Sequence, residues 1–320
     1  IDIDSVPIPD WDLFEPGSLY RPMQGKIWRA VGFETQRGCP YTCTFCNSPS
    51  NNVEYKAETG GKFHRKKSIK RMKKELDFLV KKYDPNLIYF VVDTFLAMSN
   101  REFDELKELY SDYKIPFWMN TRAETINEYR AAGLAEMNML RMNIGIEHGN
   151  YEYRRNYLKR NVKDEVQIRA FEIAAEHDYA SCANSIIGMP DETRDLIFDT
   201  INFVRELPDS IDATGAFIFA PYHGTPLRDL AIRKGYINDD EICSLSNTSE
   251  SMLRMPTITK SEIQGLAKTF SLYTKFPKER WPEIKIAESD SAEGTKMMEK
   301  LGKEFDSTYR QFPKGTDLHD

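Results

Sequence analysis

The chain is 320 residues long, carries a net charge of −6, and is 40% hydrophobic and 29% charged. Such a length and balance can bury a large core and exclude a disordered chain. The acidic excess argues against a protein that coats nucleic acid, and no apolar run approaches the roughly 18 residues that cross a bilayer.

The chain begins at Ile1 with no basic and then apolar leader, so a signal peptide is not expected and a fragment of a longer protein is allowed for. Residues 1–25 read as a connecting arm that includes Pro7-Ile-Pro-Asp-Trp-Asp-Leu-Phe14. A first strand is expected over 29–34, running into a cysteine-bearing loop. The basic run from Lys62 to Lys82 holds Ile69, Met72, Leu76 and Leu79 at helical spacing, which predicts a helix from Ser68 with a solvated basic face. A second strand over 86–92 ends at Asp93. Ser99 with Glu102 makes a capping box for the next helix, which returns the chain to a third strand over 115–119. Thr125 with Glu128 is expected to cap the following helix and Gly133 to stop it. The fourth strand, 139–146, precedes a helix over 164–177. A fifth strand over 180–187, a helix over 193–207 and a sixth strand over 215–220 complete the series. Beyond about 227 the alternation ends, and helices are expected over 261–276, started by Thr259 with Glu262, and over 291–312.

Strands alternating with helices predict an α/β fold, a partial TIM barrel of the (β/α)6 kind over 26–230, with the arm at 1–25 and a helical C-terminal extension at 231–320. In such barrels the functional groups collect at the C-terminal strand ends. The candidates fall there in turn: Cys39, Asp93, Asn120 with Arg122, Glu147, Gly188, and Tyr222 with His223.

The run Arg37-Gly-Cys-Pro-Tyr-Thr-Cys-Thr-Phe-Cys46 spaces three cysteines as C-x-x-x-C-x-x-C. Structural zinc takes four protein ligands, usually from paired C-x-x-C halves. No second pair follows here, Cys182 and Cys243 are isolated, and the five histidines form no H-x-x-x-H pair. Three thiolates leave one iron of a 4Fe-4S cluster open to an outside ligand. A zinc knuckle, or a barrel hydrolase with incidental thiols, is the alternative. Cys182 and Cys243 read as small buried apolar residues, and the odd cysteine count fits a reducing cytoplasm.

Together with Asp93-Thr-Phe95, Gly145-Ile-Glu-His-Gly149, Ile187-Gly-Met-Pro-Asp-Glu-Thr193 and Pro221-Tyr-His-Gly-Thr-Pro226, in this order, the motif resembles the radical S-adenosylmethionine (SAM) superfamily, most closely its cobalamin-associated branch. The resemblance implies that Cys39, Cys43 and Cys46 hold a 4Fe-4S cluster whose remaining iron is chelated by SAM. It places Phe45 beside the adenine, Asp93 against the SAM amino group, Asn120 and Arg122 at the ribose and carboxylate, Glu147 on the cofactor, and Asn184, Ile186 and Gly188 at the adenine-packing strand end. Val92 stands where the family often has a second acidic residue, and Asn184 and Asp191 where it often has Gly and Glu. Read from the residues alone, Asp93 is also a turn cap, Asn120 and Arg122 a surface pair, Glu147 a salt-bridge partner and Ile186 core. Tyr222 and His223 are candidate catalytic residues at the substrate cavity, with His223 moving a proton, or else parts of a proline-bounded turn.

The activity implied is reductive cleavage of SAM to methionine and a 5′-deoxyadenosyl radical, which takes hydrogen from a small-molecule or peptide substrate. A flavodoxin or ferredoxin would supply the electron. Cobalamin is left open: the opening segment resembles the connector after an N-terminal cobalamin domain, yet no D-x-H-x-x-G motif occurs in the chain. Methyl transfer or cyclisation is the expected outcome, and a methylthiotransferase or another cobalamin-free radical enzyme is the alternative.

Overall fold

A computed structural model of the chain describes residues 2–23, 25–211, 213–244 and 250–309. The first strands, β1 (Tyr20–Met23) and β2 (Lys26–Phe33), pair antiparallel. A short ribbon follows, β3 (Gln36–Arg37), with helix α1 (Ser48–Thr59) lying between it and its partner β4 (Arg65–Lys66). The chain then alternates through α2 (Ile69–Tyr83), β5 (Leu87–Phe90), α3 (Asn100–Tyr110), β6 (Phe117–Arg122), α4 (Glu128–Glu136) and β7 (Met139–Glu147). After α5 (Tyr151–Asn156) and α6 (Asp164–Glu176) come β8 (Ala180–Ile187), α7 (Arg194–Glu206) and β9 (Ala213–Ile218). The helices α8 (Pro226–Arg233), α9 (Lys260–Lys275), α10 (Trp281–Ala287) and α11 (Ala292–Thr308) follow.

The main sheet runs β1-β2-β5-β6-β7-β8-β9, and every neighbouring pair from β2 to β9 is parallel. Strands that neighbour in sequence also neighbour in space, so the sheet curls into a partial TIM barrel with helices outside. Its open β9 side is lined by α9, where Thr214 Oγ1 meets Thr274 Oγ1 at 2.9 Å. Alternate strand residues explain the two faces. Ile88, Phe90, Phe117, Met119, Met142, Ile144, Ala183 and Ile187 are fully buried in the main core. The opposite set, Tyr89, Trp118, Asn120, Asn143 and Asn184, is half-buried and points into the barrel. There Tyr89 stacks on Trp118 with centroids 4.3 Å apart. Asn120 Nδ2 donates to Tyr89 Oη at 2.8 Å, and Asn120 Oδ1 accepts from Asn143 Nδ2 at 3.0 Å.

Local signals placed several ends correctly. Ser68 caps α2 by accepting from Arg71 N, and Thr259 with Glu262 forms a full capping box on α9. Within α2, Met72, Leu76 and Leu79 are buried while Lys70, Lys73, Lys74, Lys81 and Lys82 face outward. Ser99 Oγ accepts from Glu102 N at 3.3 Å, and the Glu102 carboxylate returns to Ser99 N at 2.7 Å. Ser99→Ala is therefore expected to cost about 1 kcal/mol with an unchanged denaturant slope, read from urea unfolding.

Other expectations are corrected. The third parallel strand starts at Phe117 and extends to Arg122, because its pairing with β7 continues to Gly145. Asn120 and Arg122 thus lie within the strand rather than past it. The cap of α4 is Asn127, since the Thr125 hydroxyl is engaged with Thr121 Oγ1 and the Arg122 carbonyl. Gly133 is inside α4, where a Cβ would fall 2.5 Å from Phe103 Cε1, so it makes room for a ring rather than stopping the helix. Strand β9 ends at Ile218, and α8 follows where the alternation was expected to cease. Cys182 and Cys243 are partly exposed rather than buried. Of the helix expected over 291–312, residues 310–312 lie outside the described residues.

Candidate active site

A cavity of about 350 Å³ opens at the C-terminal ends of the parallel strands. Its wall holds Cys39, Cys43 and Cys46 together with Phe45, Asp93, Asn120, Arg122, Glu147, Asn184, Ile186 and Tyr222. These residues come from the cysteine loop and from after or within all six parallel strands, and the strand ends bring them onto one space.

The cysteine loop is fastened from several sides. Gly38 has φ +83, and a Cβ there would lie 2.6 Å from Phe63 Cδ1 and 2.9 Å from the Phe63 carbonyl. Only glycine fits that turn without displacing the ribbon. Thr44 N donates to Leu158 O at 3.2 Å, and Leu227 N donates to Thr44 O at 3.2 Å, so the loop is held between the end of α5 and the start of α8. Ser48, at the start of α1, approaches Cys46 Sγ with its N–H at 3.5 Å and donates its hydroxyl to Asp93 Oδ2 at 2.8 Å. Thr94 Oγ1 lies 3.6 Å from Cys39 Sγ. Burial raises the Cys39 thiol and pushes the Cys46 thiol up to about 11, outweighing the N–H of Ser48 that favours its thiolate.

Glu147 sits at a register shift between β7 and β8 and has φ 65, in the left-handed region. The bulge turns its carboxylate back over Gly145, whose missing Cβ leaves the space, and Arg160 Nη1 meets Glu147 Oε1 at 3.0 Å. Arg160 also donates to the Gly145 carbonyl. Burial raises the Glu147 carboxyl, and the Arg160 and Arg122 charges oppose that rise. Behind this residue, fully buried His148 Nε2 and Glu192 Oε1 face each other at 3.0 Å, off the line of a hydrogen bond. Glu192 Oε2 accepts from Met189 N at 2.9 Å and also from Gly188 N, so this pair links the loops after β7 and β8.

Two expected site residues stand elsewhere. Gly188 does not line the cavity: its N–H is committed to Glu192, and a Cβ on it would lie 3.0 Å from Ile263 Cγ2. His223 is exposed on the turn beyond β9 and does not line the cavity, whereas Tyr222 lines it while 43% exposed. Sequence reasoning missed Asn143, Thr94 and Arg160, which also line it. Asn143 was detectable, since it precedes Gly145 and Glu147 at the two-residue period of one strand face. Arg160 carries no such signal, being a buried arginine in a loop.

The donor set is compatible with an iron-sulfur cluster. Among the described residues no group of three or more His, Cys, Asp or Glu side chains is arranged around one ion. A cubane asks for a different arrangement, one thiolate on each of three irons, and three loop sulfurs border a cavity within the roughly 300–1,000 Å³ of ligand pockets. Among the described residues, no helix is long and apolar enough to cross a membrane.

Comparison with known proteins agrees with this geometry. The family model of the Radical SAM superfamily matches residues 33–204. An uncharacterized methyltransferase of Pyrococcus horikoshii is 31% identical over 232 residues, which are 72% of this chain and 47% of that protein. The anaerobic magnesium-protoporphyrin IX monomethyl ester cyclase of Rubrivivax gelatinosus is 25% identical over 243 residues, 72% of this chain and 39% of that protein. The chain thus spans about half or less of the length of the curated relatives it matches. Among solved structures, the cobalamin-dependent S-adenosylmethionine radical enzyme OxsB, with aqua-cobalamin and S-adenosylmethionine bound, aligns with a TM-score of 0.56 at 14% identity over 86% of this chain and 45% of its own. The radical S-adenosylmethionine methyltransferase TsrM of Kitasatospora setae, with cobalamin and a [4Fe-4S] cluster bound, aligns with a TM-score of 0.55 at 12% identity over 87% and 62%. Those two likenesses concern the fold. With the family model covering more than half of its length and a 31% identical relative along 72% of it, the chain belongs to the radical SAM superfamily.

Proposed function

We propose that Cys39, Cys43 and Cys46 hold a 4Fe-4S cluster, that SAM occupies the adjoining cavity, and that the protein uses the pair for radical chemistry on a substrate entering past Tyr222. The observation that carries this reading is the convergence of the three sulfurs and the polar strand-end residues on one cavity. When bound, the cluster supplies one electron to the SAM sulfonium, whose carbon–sulfur cleavage leaves methionine and a 5′-deoxyadenosyl radical.

The chain's own residues position the cofactor and keep water away. Phe45 and Ile186 offer apolar surface to the adenine. Asn120, Asn143 and Asn184 present amides at successive strands, and Glu147 offers a carboxylate that Arg160 holds in place. Asp93, tied to the loop by Ser48, accepts from the SAM amino group. Gly188 acts through the Glu192 contact that shapes its loop, and His223 meets substrate only at the rim. We further propose methyl transfer with cobalamin carried outside the described residues, a reading supported by the methyltransferase relative at 31% identity. The electron donor would be a flavodoxin or ferredoxin, and the setting cytoplasmic.

Anaerobic reconstitution with iron, sulfide and SAM, with and without cobalamin, tests this. Reduction with dithionite should release 5′-deoxyadenosine, and added cobalamin should increase methylated product seen by mass spectrometry. A reconstituted protein that retains neither iron nor sulfide, or retains both and releases no 5′-deoxyadenosine, would remove the reading.

The Glu147–Arg160 pair gives a pH test of the same site. Because the folded carboxyl is raised above its ordinary 4.5, its neutral form contributes stability below that pH, and this is lost as pH rises through the raised value. Arg160 limits the loss. The Arg160→Met penalty should therefore be small near pH 4.5 and grow towards neutrality by about 3 kcal/mol, measured by urea unfolding. Adding Glu147→Gln should flatten that dependence, and a pH-independent penalty would show that the ion pair is not formed.

A further inference from the structure

Arg122 does not stand as a free cation over the cavity. Its Nη1 donates to Cys43 Sγ at 3.0 Å, its Nε donates to Glu124 Oε1 at 2.6 Å, and its guanidinium lies 3.9 Å from the centroid of the Tyr41 ring. The residue is 8% exposed, and its partner Cys43 is buried. Arg122 comes from the end of β6, Cys43 and Tyr41 from the cysteine loop, so the contact joins barrel wall to cluster loop.

Building on the cluster reading above, we propose that Arg122 is a positioning residue for the cluster, holding the Cys43 sulfur and raising the potential at which the cluster accepts an electron. The redox step is a one-electron reduction by a low-potential one-electron donor, in which no covalent bond forms or breaks. Three thiolates on a doubly positive core give the oxidised cluster a single net negative charge, and the electron doubles it. A cation and an N–H donor at one of those sulfurs stabilise the more negative form more than the less negative one, and burial keeps water from screening the difference. Glu124, an anion on the far side of the guanidinium, reduces the effect. The arrangement therefore makes predictions of opposite sign for two neighbouring residues, which a packing role would not.

The experiment is an anaerobic redox titration followed by electron paramagnetic resonance, without SAM, on reconstituted protein whose iron and sulfide have first been measured. Arg122→Gln should shift the midpoint negative, with about tenfold less reduced cluster at a fixed potential, about 59 mV for a one-electron couple. Arg122→Lys should fall between the variant and the wild type, because a point charge remains while the planar fork is lost. Glu124→Gln should shift the midpoint positive. Should Arg122→Gln fail to keep a cluster, the signs for Arg122→Lys and Glu124→Gln decide the matter.

Loaded variants with wild-type midpoints would overturn the proposal. In that case weakened SAM binding by Arg122→Gln, measured by equilibrium dialysis, would assign the arginine to the SAM carboxylate instead. A wild-type protein that takes up no iron and sulfide would overturn the cluster reading and this inference together, an outcome distinct from a loaded protein with unmoved potentials.

Discussion

Cys46→Ala is expected to abolish cluster retention and to reduce 5′-deoxyadenosine formation to the level of unloaded protein. Cys46 is set by a turn in which its N–H donates to the Cys43 carbonyl at 3.3 Å, and the Ser48 N–H approaches its sulfur. Alanine leaves two loop thiolates, too few to hold three corners of a cubane. The fold should survive, because the residue is only half-buried and the loop is fastened through Thr44 rather than through the sulfur. Stability of the apo variant should stay within about 1 kcal/mol of the parent. Iron and sulfide analysis with product quantification checks the claim, and a variant that keeps a full cluster would refute it.

The same thiol carries a pH consequence. Burial pushes it up to about 11, so near neutrality it is protonated and must release a proton to bind iron. Cluster assembly on the wild type should accordingly strengthen as pH rises through the alkaline range. For the apo protein the sign is opposite. The neutral buried thiol contributes stability below its ordinary 9.0, and that contribution disappears as pH climbs through about 11.

Gly149→Ala is expected to destabilise the protein by about 3–5 kcal/mol and to weaken SAM-analogue binding along with it. A Cβ at this position would lie 2.5 Å from the Asp199 carbonyl oxygen and 2.5 Å from Thr200 Cα, both backbone atoms of α7 that cannot rotate away. Gly149 N also donates to Thr200 Oγ1 at 2.9 Å, and Arg154 Nη1 donates to the carbonyls of His148 and Gly149 at 2.7 and 2.8 Å. Pushing the chain away from α7 would break these bonds and shift Glu147, two residues earlier. Urea unfolding and titration with S-adenosylhomocysteine measure the two effects. Unfolding within 1 kcal/mol of the parent would show that the loop does not pack on α7 as closely as described.

Some elements were legible because their signals are local. The capping boxes at Ser99 and Thr259 and the bounds of β8 depend on residues within a few positions of one another. Helix α1 was missed because it has no apolar stripe: its Val53 is 69% exposed. It rests on end effects, a proline in its first turn and Gly60 with φ 69 at its C-terminus. Strand β1 was missed because it is four residues long, contains Pro22 and lies at the sheet edge. Gly133 was misread because a glycine required by a neighbouring ring looks, in sequence, the same as one required by a left-handed cap.

By itself the amino-acid order determined the alternation of strand and helix, the three-cysteine loop after the first parallel strand, and the row of polar residues near successive strand ends. Those follow from periodicity and spacing, which the chain carries wherever it is read. Tertiary structure alone decided the partners. Arg122 meets Cys43 from 79 positions away, Glu147 is held by Arg160, His148 faces Glu192, and His223 stays outside the cavity that Tyr222 reaches. Each of these depends on which segments fold against one another, and a buried charge takes whatever counter-charge or dipole that packing brings within reach.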